Sequence, residues 1–337
     1  MASIGNILSA PGSYIGIACA AINPANYLGS VRFDPEKDIA DLSGKVVLVT
    51  GGNAGLGKET VFQLAKNRPS KIFLAARSEQ KAKDAIASIK PHVPDDVDIT
   101  WLPLDLTSLD SIRDAAKSFH AQSSRLDRLI LNAGIMATPP GRVAVTNHEI
   151  QFGTNHTGHF LLTNLLLPTL LKTAEEPGAD VRVVAVSSVG HNLAPSFETF
   201  LDQDKLYNAD PNVRYGASKA SNILFAAELA RRHPSLTAVS LHPGVIITDL
   251  YAPMSARSPV GALGAKALKA VGAQASTGAL NQLWAAAGAK KEDLVNGAYY
   301  VPVGRRKPRN HYANSEDMGK RLWDWTEEEL KKVGYLD

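Results

Sequence analysis

Cysteine is almost absent: Cys19 is the single one among 337 residues. One thiol can neither close an intrachain disulfide nor build a thiolate metal site, so no metal is expected and a cytoplasmic setting is. A dominant sign of charge is also lacking. Lys and Arg number 36 against 33 Asp and Glu, a net charge of +3, which is too even to suggest nucleic acid or an acidic partner. The densest basic stretch, GRRKPRN from Gly304 to Asn310, reads as a solvated loop. Long apolar runs are missing too. Ser13 to Ile22 is apolar, but it lies between Pro11 and Pro24 with no basic stretch before it. It is shorter than the about 20 residues that span a bilayer and makes a poor signal peptide. It either docks on the protein's own surface or makes peripheral contact with an intracellular membrane. The only N-glycosylation triplet, Asn155-His156-Thr157, is expected to be buried and says nothing of secretion.

What is present is an alternation of short apolar strands and helices from Asp41 onward. KVVLVTGG, KIFLAARS, VDITWLPLD, RLDRLILNAG, VRVVAVSS, LTAVSLHPG and GAYYVPVG read as strands. Between them lie helices over Leu56–Lys66, Glu79–Lys90, Ser108–Ser123 and about Asn155–Leu171, and one carrying Tyr215. Continuous apolar strands alternating with helices predict a parallel sheet covered on both faces. With no repeat and no linker, residues 41–337 are expected to form one domain behind an extension, residues 1–40. Two stretches break the rhythm: Gly190–Val213, and an Ala/Gly/Ser-rich run over Tyr251–Ser276. Both leave the carboxyl ends of strands, where open parallel sheets bind ligands, and are expected to be the walls and lid (about 250–276) of a substrate pocket.

TGGNAGLGKE follows the first strand and opens the first helix, with glycines at 51, 55 and 57. Glycines there let the backbone approach a pyrophosphate, and the helix N-terminus supplies amide donors and a positive dipole end. No Ser or Thr follows Lys58, so this is not a Walker loop. Dinucleotide sites often place a carboxylate about 20 residues on, to hold the adenosine ribose. Here that position is Arg77, and a guanidinium suits a 2′-phosphate, which favours NADP(H). Lys81, one turn further, is placed to share the contact. Tyr215 and Lys219 in YGASK are four apart and so share a helix face.

With TGGNAGLG, LNAG (Leu131–Gly134), VSS (Val186–Ser188) and YGASK in this order, the chain resembles the short-chain dehydrogenase/reductases from about Asp41 to Gly304. It looks most like their retinol-dehydrogenase-like and WW-domain-oxidoreductase-like group, of the fungal kind. NHTGHFLLT and the tail KRLWDWTEEEL carry that closer likeness. The resemblance implies a single-domain Rossmann-type, doubly wound α/β sheet of about seven parallel strands. Asn155, Ser188, Tyr215 and Lys219 would be the catalytic tetrad. Gly51, Asn53, Gly55, Leu56 and Gly57 would line the pyrophosphate, and Asp105 and Leu106 would meet the adenine. Asn132, Ala133 and Gly134 would support the fourth strand and the cofactor. Pro243, Gly244, Val245 and Thr248 would border the nicotinamide. Ser188 and Tyr215 are 27 residues apart, about twice the family's common gap, which leaves Ser187 beside Ser188 as a candidate.

The chemistry is consistent with those residue types. Reducing a ketone leaves an alkoxide that a positioned acid must protonate. A phenol with a reference pKa of about 10 becomes a usable acid/base when an ammonium stands beside it. Lys219 would do that and hold the ribose hydroxyls. Ser188 would donate to the carbonyl oxygen, and Asn155 would hold a water that resupplies the proton. His156, His159 and His242 are read as packed histidines. The expected activity is NADP(H)-dependent interconversion of a carbonyl and an alcohol on an apolar or aromatic substrate, with secondary metabolism as its setting. Leu250, Tyr251, Met254 and Val260 would be the apolar lining of the lid. Alternatives are oxidation of a retinol- or steroid-like alcohol, or a catalytically silent dinucleotide sensor. A zinc alcohol dehydrogenase or an extended-type epimerase fits less well, for want of clustered metal ligands or of the right glycine spacing. A homodimer or a monomer is expected.

Overall fold

The computed structural model describes residues 30–244 and 275–337. Strands β1 (Val46–Thr50), β2 (Lys71–Ala76), β3 (Asp98–Pro103), β4 (Arg128–Leu131), β5 (Arg182–Val186), β6 (Thr237–Leu241), β7 (Tyr299–Val301) and β8 (Arg305–Arg306) form one sheet. Their order is β3-β2-β1-β4-β5-β6-β7-β8. Every pairing is parallel except the last, β7 with β8. Among the described residues there are therefore eight strands where about seven are expected. The extra one is a two-residue antiparallel edge inside the basic GRRKPRN stretch. Val301 pairs with Arg305 there, so the solvated-loop reading fails for those two residues.

Strands β1, β4, β5 and β6 are buried along their whole length, as continuous Val/Leu/Ile/Ala runs require when helices cover both faces. Four helices pack on one face: α4 (Leu109–Gln122), α5 (Gly158–Ala174), α8 (Pro211–Arg232) and α10 (Glu316–Lys332). Phe225 stacks on Trp323 at 5.7 Å, and Phe160 meets the same indole edge-on at 4.8 Å. The other face carries α2 (Gly55–Ala65), α3 (Glu79–Ile89) and α9 (Ala275–Leu283).

At the amino ends of the strands, buried Arg128 and Arg182 close the sheet. Arg182 bonds the Ala285 and Ala289 carbonyls at 2.9 and 2.8 Å, and both arginines pair with Asp180. That end is filled with protein, and the opposite end carries the site.

The Gly190–Val213 connection is a short 3₁₀ stretch (Val189–Leu193) followed by two single-turn helices, α6 (Phe197–Leu201) and α7 (Gln203–Tyr207). Helix α5 is preceded by a turn, Ile150–Phe152, and a π-helical stretch, Gly153–Thr157, so the helical run begins five residues before the expected Asn155. A one-turn helix, α1 (Pro35–Asp38), precedes β1. Residues 13–22, Val245, Thr248 and the expected lid up to residue 274 lie outside the described residues; the last two lid residues, Ala275 and Ser276, open α9. No helix among the described residues is long and apolar enough to cross a membrane.

Candidate active site

The strand order reverses between β1 and β4, and ligands of open parallel sheets bind beyond the carboxyl ends at such a point. The glycine loop lies there. Gly51 (φ +68°) donates its N–H to the Ala75 carbonyl of β2 at 2.8 Å, and Gly55 (φ +51°) opens α2. A Cβ at Gly57 would stand 2.2 Å from the Gly51 carbonyl oxygen and 2.6 Å from Asn132 Nδ2. The loop is therefore folded on itself as tightly as backbone allows. The residue before α2, Ala54, has no capping side chain, so the first-turn N–H groups are left for another acceptor. Asn53 and Leu56 are part-exposed on the same turn.

Asn132 Nδ2 bonds the Thr50 carbonyl at 2.8 Å, and its Oδ1 receives Gln282 Nε2 at 3.2 Å. Thr50 Oγ1 accepts the Ala133 N–H at 2.9 Å and lies 2.9 Å from His159 Nε2. His159 Nδ1 is 3.0 Å from the Asn155 carbonyl. Burial pushes the His159 pKa down to about 4, so the ring is neutral. Its Nδ1–H then donates to Asn155 and its Nε2 accepts from Thr50. His159 thus packs in the interior, as expected, and also ties β1 to the Asn155 turn. His156 bonds Thr326 at 3.1 Å, and His242 Nδ1 accepts the Gly244 N–H at 2.9 Å.

Arg77 is exposed at the end of β2, where no carboxylate follows until Glu79. Among the described residues it has no hydrogen bond or ion pair. Ser78 caps α3 through the Lys81 N–H, which puts the exposed Lys81 on the first turn beside Arg77. Asp105 Oδ1 is taken up locally by the Thr107 N–H and hydroxyl at 2.9 and 2.7 Å. Leu106 is buried with its carbonyl against Gly158, where a Cβ would stand 2.6 Å from it.

The tetrad candidates converge. Tyr215 is 5% exposed and packs with Met136 and Ala137. Lys219 Nζ lies 5.7 Å from the Tyr215 ring centroid and donates to the Val186 carbonyl at 2.9 Å. Its ammonium is wholly enclosed, and desolvation pulls its pKa down to about 8. Ser188, at the end of β5, accepts the Gly190 N–H at 3.1 Å, which leaves its O–H to donate elsewhere. A Cβ at Gly190 would stand 2.9 Å from Tyr215 Cε1 and 3.4 Å from Ser188 Oγ, which places the two side chains on one side of the site. On the other, a Cβ at Gly134 would be 3.1 Å from Asn155 Oδ1 and 3.3 Å from Lys219 Nζ. Ser187 turns away: its Oγ donates to the Lys219 carbonyl at 2.7 Å and is buried. Of the two serines, Ser188 is the one whose hydroxyl lies on the Tyr215 side. Asn155 grips the turn after β4 through the Ile135 N–H (2.8 Å) and carbonyl (2.9 Å), and bonds Ser218 Oγ at 2.9 Å.

Sequence reasoning passed over His191. Its Nδ1 is 2.6 Å from the Ser188 carbonyl, its Nε2 is 3.3 Å from Asn310 Nδ2, and its ring meets Tyr299 edge-on at 5.1 Å. Asn310 and Tyr299 lie over a hundred residues downstream, so no local spacing signals those contacts. Burial lowers the His191 pKa and raises that of Tyr299, so both stay neutral beside Tyr215. Pro243 and Gly244 (φ +100°) follow β6 at the same end of the sheet, and Asn281 fastens them through the His242 carbonyl at 2.8 Å.

Residues 45–199 match a family model described as short chain dehydrogenase. The short-chain dehydrogenase/reductase drtF of Aspergillus calidoustus is 38% identical over 313 residues, which cover 89% of this chain and 98% of the relative. Retinol dehydrogenase 11 of Homo sapiens is 41% identical over 211 residues, covering 62% of this chain and 63% of that protein. Among solved structures, an NADPH-bound carbonyl reductase from chicken fatty liver superposes with a TM-score of 0.56 at 24% identity, over 78% of this chain and 98% of the other. L-sorbose reductase from Gluconobacter frateurii, complexed with NADPH and L-sorbose, gives 0.62 at 17% identity, over 80% and 98%.

Proposed function

The chain belongs to the short-chain dehydrogenase/reductases, and on that premise we propose that it is an NADP(H)-dependent reductase of apolar or aromatic ketones and aldehydes. The observation that carries the reading is the enclosed Lys219 ammonium beside the Tyr215 ring, opposite the Ser188 hydroxyl. The glycine cradle, in which a Cβ at Gly57 would strike the Gly51 carbonyl, fits a dinucleotide pyrophosphate. Gly51, Asn53, Gly55, Leu56 and Gly57 would hold it, with Asp105 and Leu106 toward the adenine. Asn132, Ala133, Gly134, Pro243, Gly244, Val245 and Thr248 would border the rest. Arg77, exposed and without a partner among the described residues, would grip the 2′-phosphate, with Lys81 sharing the contact.

A reduced nicotinamide held by those residues would supply the hydride for the carbonyl carbon of the substrate. Ser188 donates its free O–H to the carbonyl oxygen and so fixes the reacting face. Tyr215 passes its phenolic proton to that oxygen as negative charge develops on it. Lys219, held by the Val186 carbonyl, keeps a positive charge beside the phenol and favours its giving up the proton. Asn155 holds the Ile135 turn against Lys219 and a water that resupplies the proton. The apolar surroundings of Tyr215, Met136 and Ala137, with few charges in the expected lid, favour a substrate without charge. The direction is reduction, in a cytoplasmic setting and secondary metabolism. A second reading, oxidation of a long apolar alcohol, is favoured by the relative named retinol dehydrogenase.

The test is NADPH consumption by the purified chain against a panel of apolar ketones and aldehydes, with EDTA present and NADH run in parallel. NADPH should be preferred by about 10- to 150-fold in kcat/KM, as expected for a hydrogen bond to a charged group worth about 1.5–3 kcal/mol. Tyr215→Phe should keep NADPH affinity and lose about 10²- to 10⁴-fold in turnover. Equal use of NADH would remove Arg77 as the phosphate clamp. A Tyr215→Phe variant with more than half the wild-type rate would remove Tyr215 from the mechanism.

A further inference from the structure

Arg214 immediately precedes Tyr215 and is 1% exposed. Its Nη1 donates to Glu149 Oε1 at 2.9 Å and its Nη2 to the Thr138 carbonyl at 3.1 Å. Glu149 is fully buried, and its Oε2 accepts the Gln151 and Phe152 N–H groups, both at 2.9 Å. It thereby caps the helical run that becomes π-helical at Gly153–Thr157 and carries Asn155. Two residues on, Gln151 Oε1 accepts the Ala137 N–H at 2.8 Å and its Nε2 donates at 3.0 Å to the carbonyl of Pro211, the first residue of α8. Gln203 of α7 bonds the Glu149 N–H at 2.8 Å. One buried polar knot therefore joins the turn after β4, the Asn155 helix, the connection before α8 and the Tyr215 helix.

Two features show what the knot does. Ala137 holds a left-handed backbone (φ +51°), which costs an alanine free energy and persists only where its neighbours over-determine it. Here they do: Asn155 takes both backbone groups of Ile135, Gln151 takes the Ala137 N–H, and Arg214 takes the Thr138 carbonyl. The residues so held, Met136 and Ala137, are the ones packed on Tyr215. Second, the knot is a poor stability device. Desolvation raises the Glu149 pKa despite its partners, and Arg214 Nε meets no acceptor among the described residues. Buried ion pairs are often no more stabilising than apolar replacements of similar volume. Their best-attested use is to specify one arrangement.

We infer that Glu149 and Arg214 are a positioning pair. They lock the 135–138 turn against Tyr215 and set the separation of the Tyr215 and Asn155 helices, so that the phenol is held for proton transfer. The inference rests on the reductase reading for its kinetic consequence and on the geometry alone for its structural one.

The double variant Glu149→Gln/Arg214→Met removes both charges together and leaves no lone buried ion. It should melt close to the wild type and bind NADPH, read by fluorescence titration, within about twofold. Turnover should fall about 10- to 100-fold, the cost of misplacing a reacting group by about an ångström, with KM for the carbonyl changed far less. In 13Cζ-tyrosine NMR of the apo chain, with the Tyr215 line identified by its loss in Tyr215→Phe, that line should move by more than its width. A double variant with wild-type kcat and an unmoved Tyr215 line would make the pair merely structural. Should the double variant not fold, Arg214→Lys keeps the charge but loses the fork, and the same two readings decide. If the wild type reduces no carbonyl, the reductase reading falls while the Tyr215 line still decides the role of the pair.

Discussion

At the scale of single residues, the site is governed by where charge is enclosed. Lys219 is the sharpest case. A free lysine loses its proton near pH 10.5, while this one does so near 8 because burial disfavours the ammonium. Between those values the unfolded chain binds the proton and the folded chain does not, so folding stability rises with pH across the window. Below pH 8 the wild type carries the whole cost. Lys219→Met should therefore be more stable than the wild type at pH 7, by up to about 3 kcal/mol, and should lose that advantage toward pH 10.5. The Val186 carbonyl would keep a donor, Asn222 Nδ2 at 3.2 Å. Thermal melts of the two apo proteins at pH 7 and pH 10 check this; an advantage that did not shrink with pH would place the ammonium in contact with solvent. Arg77 is the opposite case, a guanidinium left in solvent at the end of β2. Arg77→Asp should raise KM for NADPH about 10- to 1,000-fold, since a like charge then faces the phosphate in place of a charged donor. It should leave kcat at saturation nearly unchanged, because that contact is remote from the reacting carbon. Steady-state kinetics with NADPH decide it, and an unaltered KM would hand the contact to Lys81.

At the scale of elements, strands were more legible than the joints between them. The mostly apolar runs at Val46–Thr50, Arg182–Val186 and Thr237–Leu241 are legible because a strand buried on both faces draws most of its side chains from Val, Ile, Leu and Ala. The glycine loop was equally legible, since Gly51 and Gly55 require the left-handed backbone and Gly57 requires bare space. That makes Gly57→Ala a test of the cradle. Its Cβ has only backbone and the fixed Asn132 amide to displace, so the first turn of α2 must move, and NADPH should bind at least tenfold more weakly. Gly178→Ala is the control: φ is +71° with open space around it, so the strain of about 1–2 kcal/mol should lower the melting temperature without touching NADPH affinity. Fluorescence titration of both variants separates the effects, and a Gly57→Ala protein with wild-type affinity would mean that nothing approaches the loop closely. The joints were less legible for physical reasons. The π-helical turn at Gly153–Thr157 is a change of hydrogen-bond register with no compositional mark. Helices α6 and α7 are single turns, too short to show a period. Strand β8 is two arginines whose pairing is decided by β7. The Glu149–Arg214 contact joins positions 65 residues apart, and nothing near either residue announces the other.

At the scale of the whole molecule, the segment before β1 is fastened to the far edge of the sheet. The Val31 N–H bonds the Val303 carbonyl at 2.8 Å, Ser30 Oγ bonds the Pro302 carbonyl at 2.8 Å, and Glu36 pairs with Lys66 of the chain just after α2 at 3.0 Å. The anchor is Phe33. Its ring fills the notch left by Gly288, where a Cβ would stand 2.2 Å from Phe33 Cε2. Gly288 closes the π-helical turn Trp284–Gly288 that follows α9, and the carbonyls of that turn receive Arg128 and Arg182 from β4 and β5. The segment therefore bears on the same turn that closes the amino end of the sheet. Phe33 is only partly buried, so Phe33→Ala should cost about 1–2 kcal/mol, less than the 3–5 of a fully enclosed ring, and lower the melting temperature by a few degrees. Gly288→Ala should cost at least as much, because the new methyl expels the ring. The two changes should not add: the three atoms nearest the new methyl all belong to the Phe33 ring and go with it, so the double variant should melt no lower than Phe33→Ala alone. The catalytic end of the sheet lies away from this contact, so kcat/KM with NADPH should stay within about twofold in all three variants. Melts of the four proteins complete the cycle, and strictly additive losses would show that the ring does not occupy the Gly288 notch in solution.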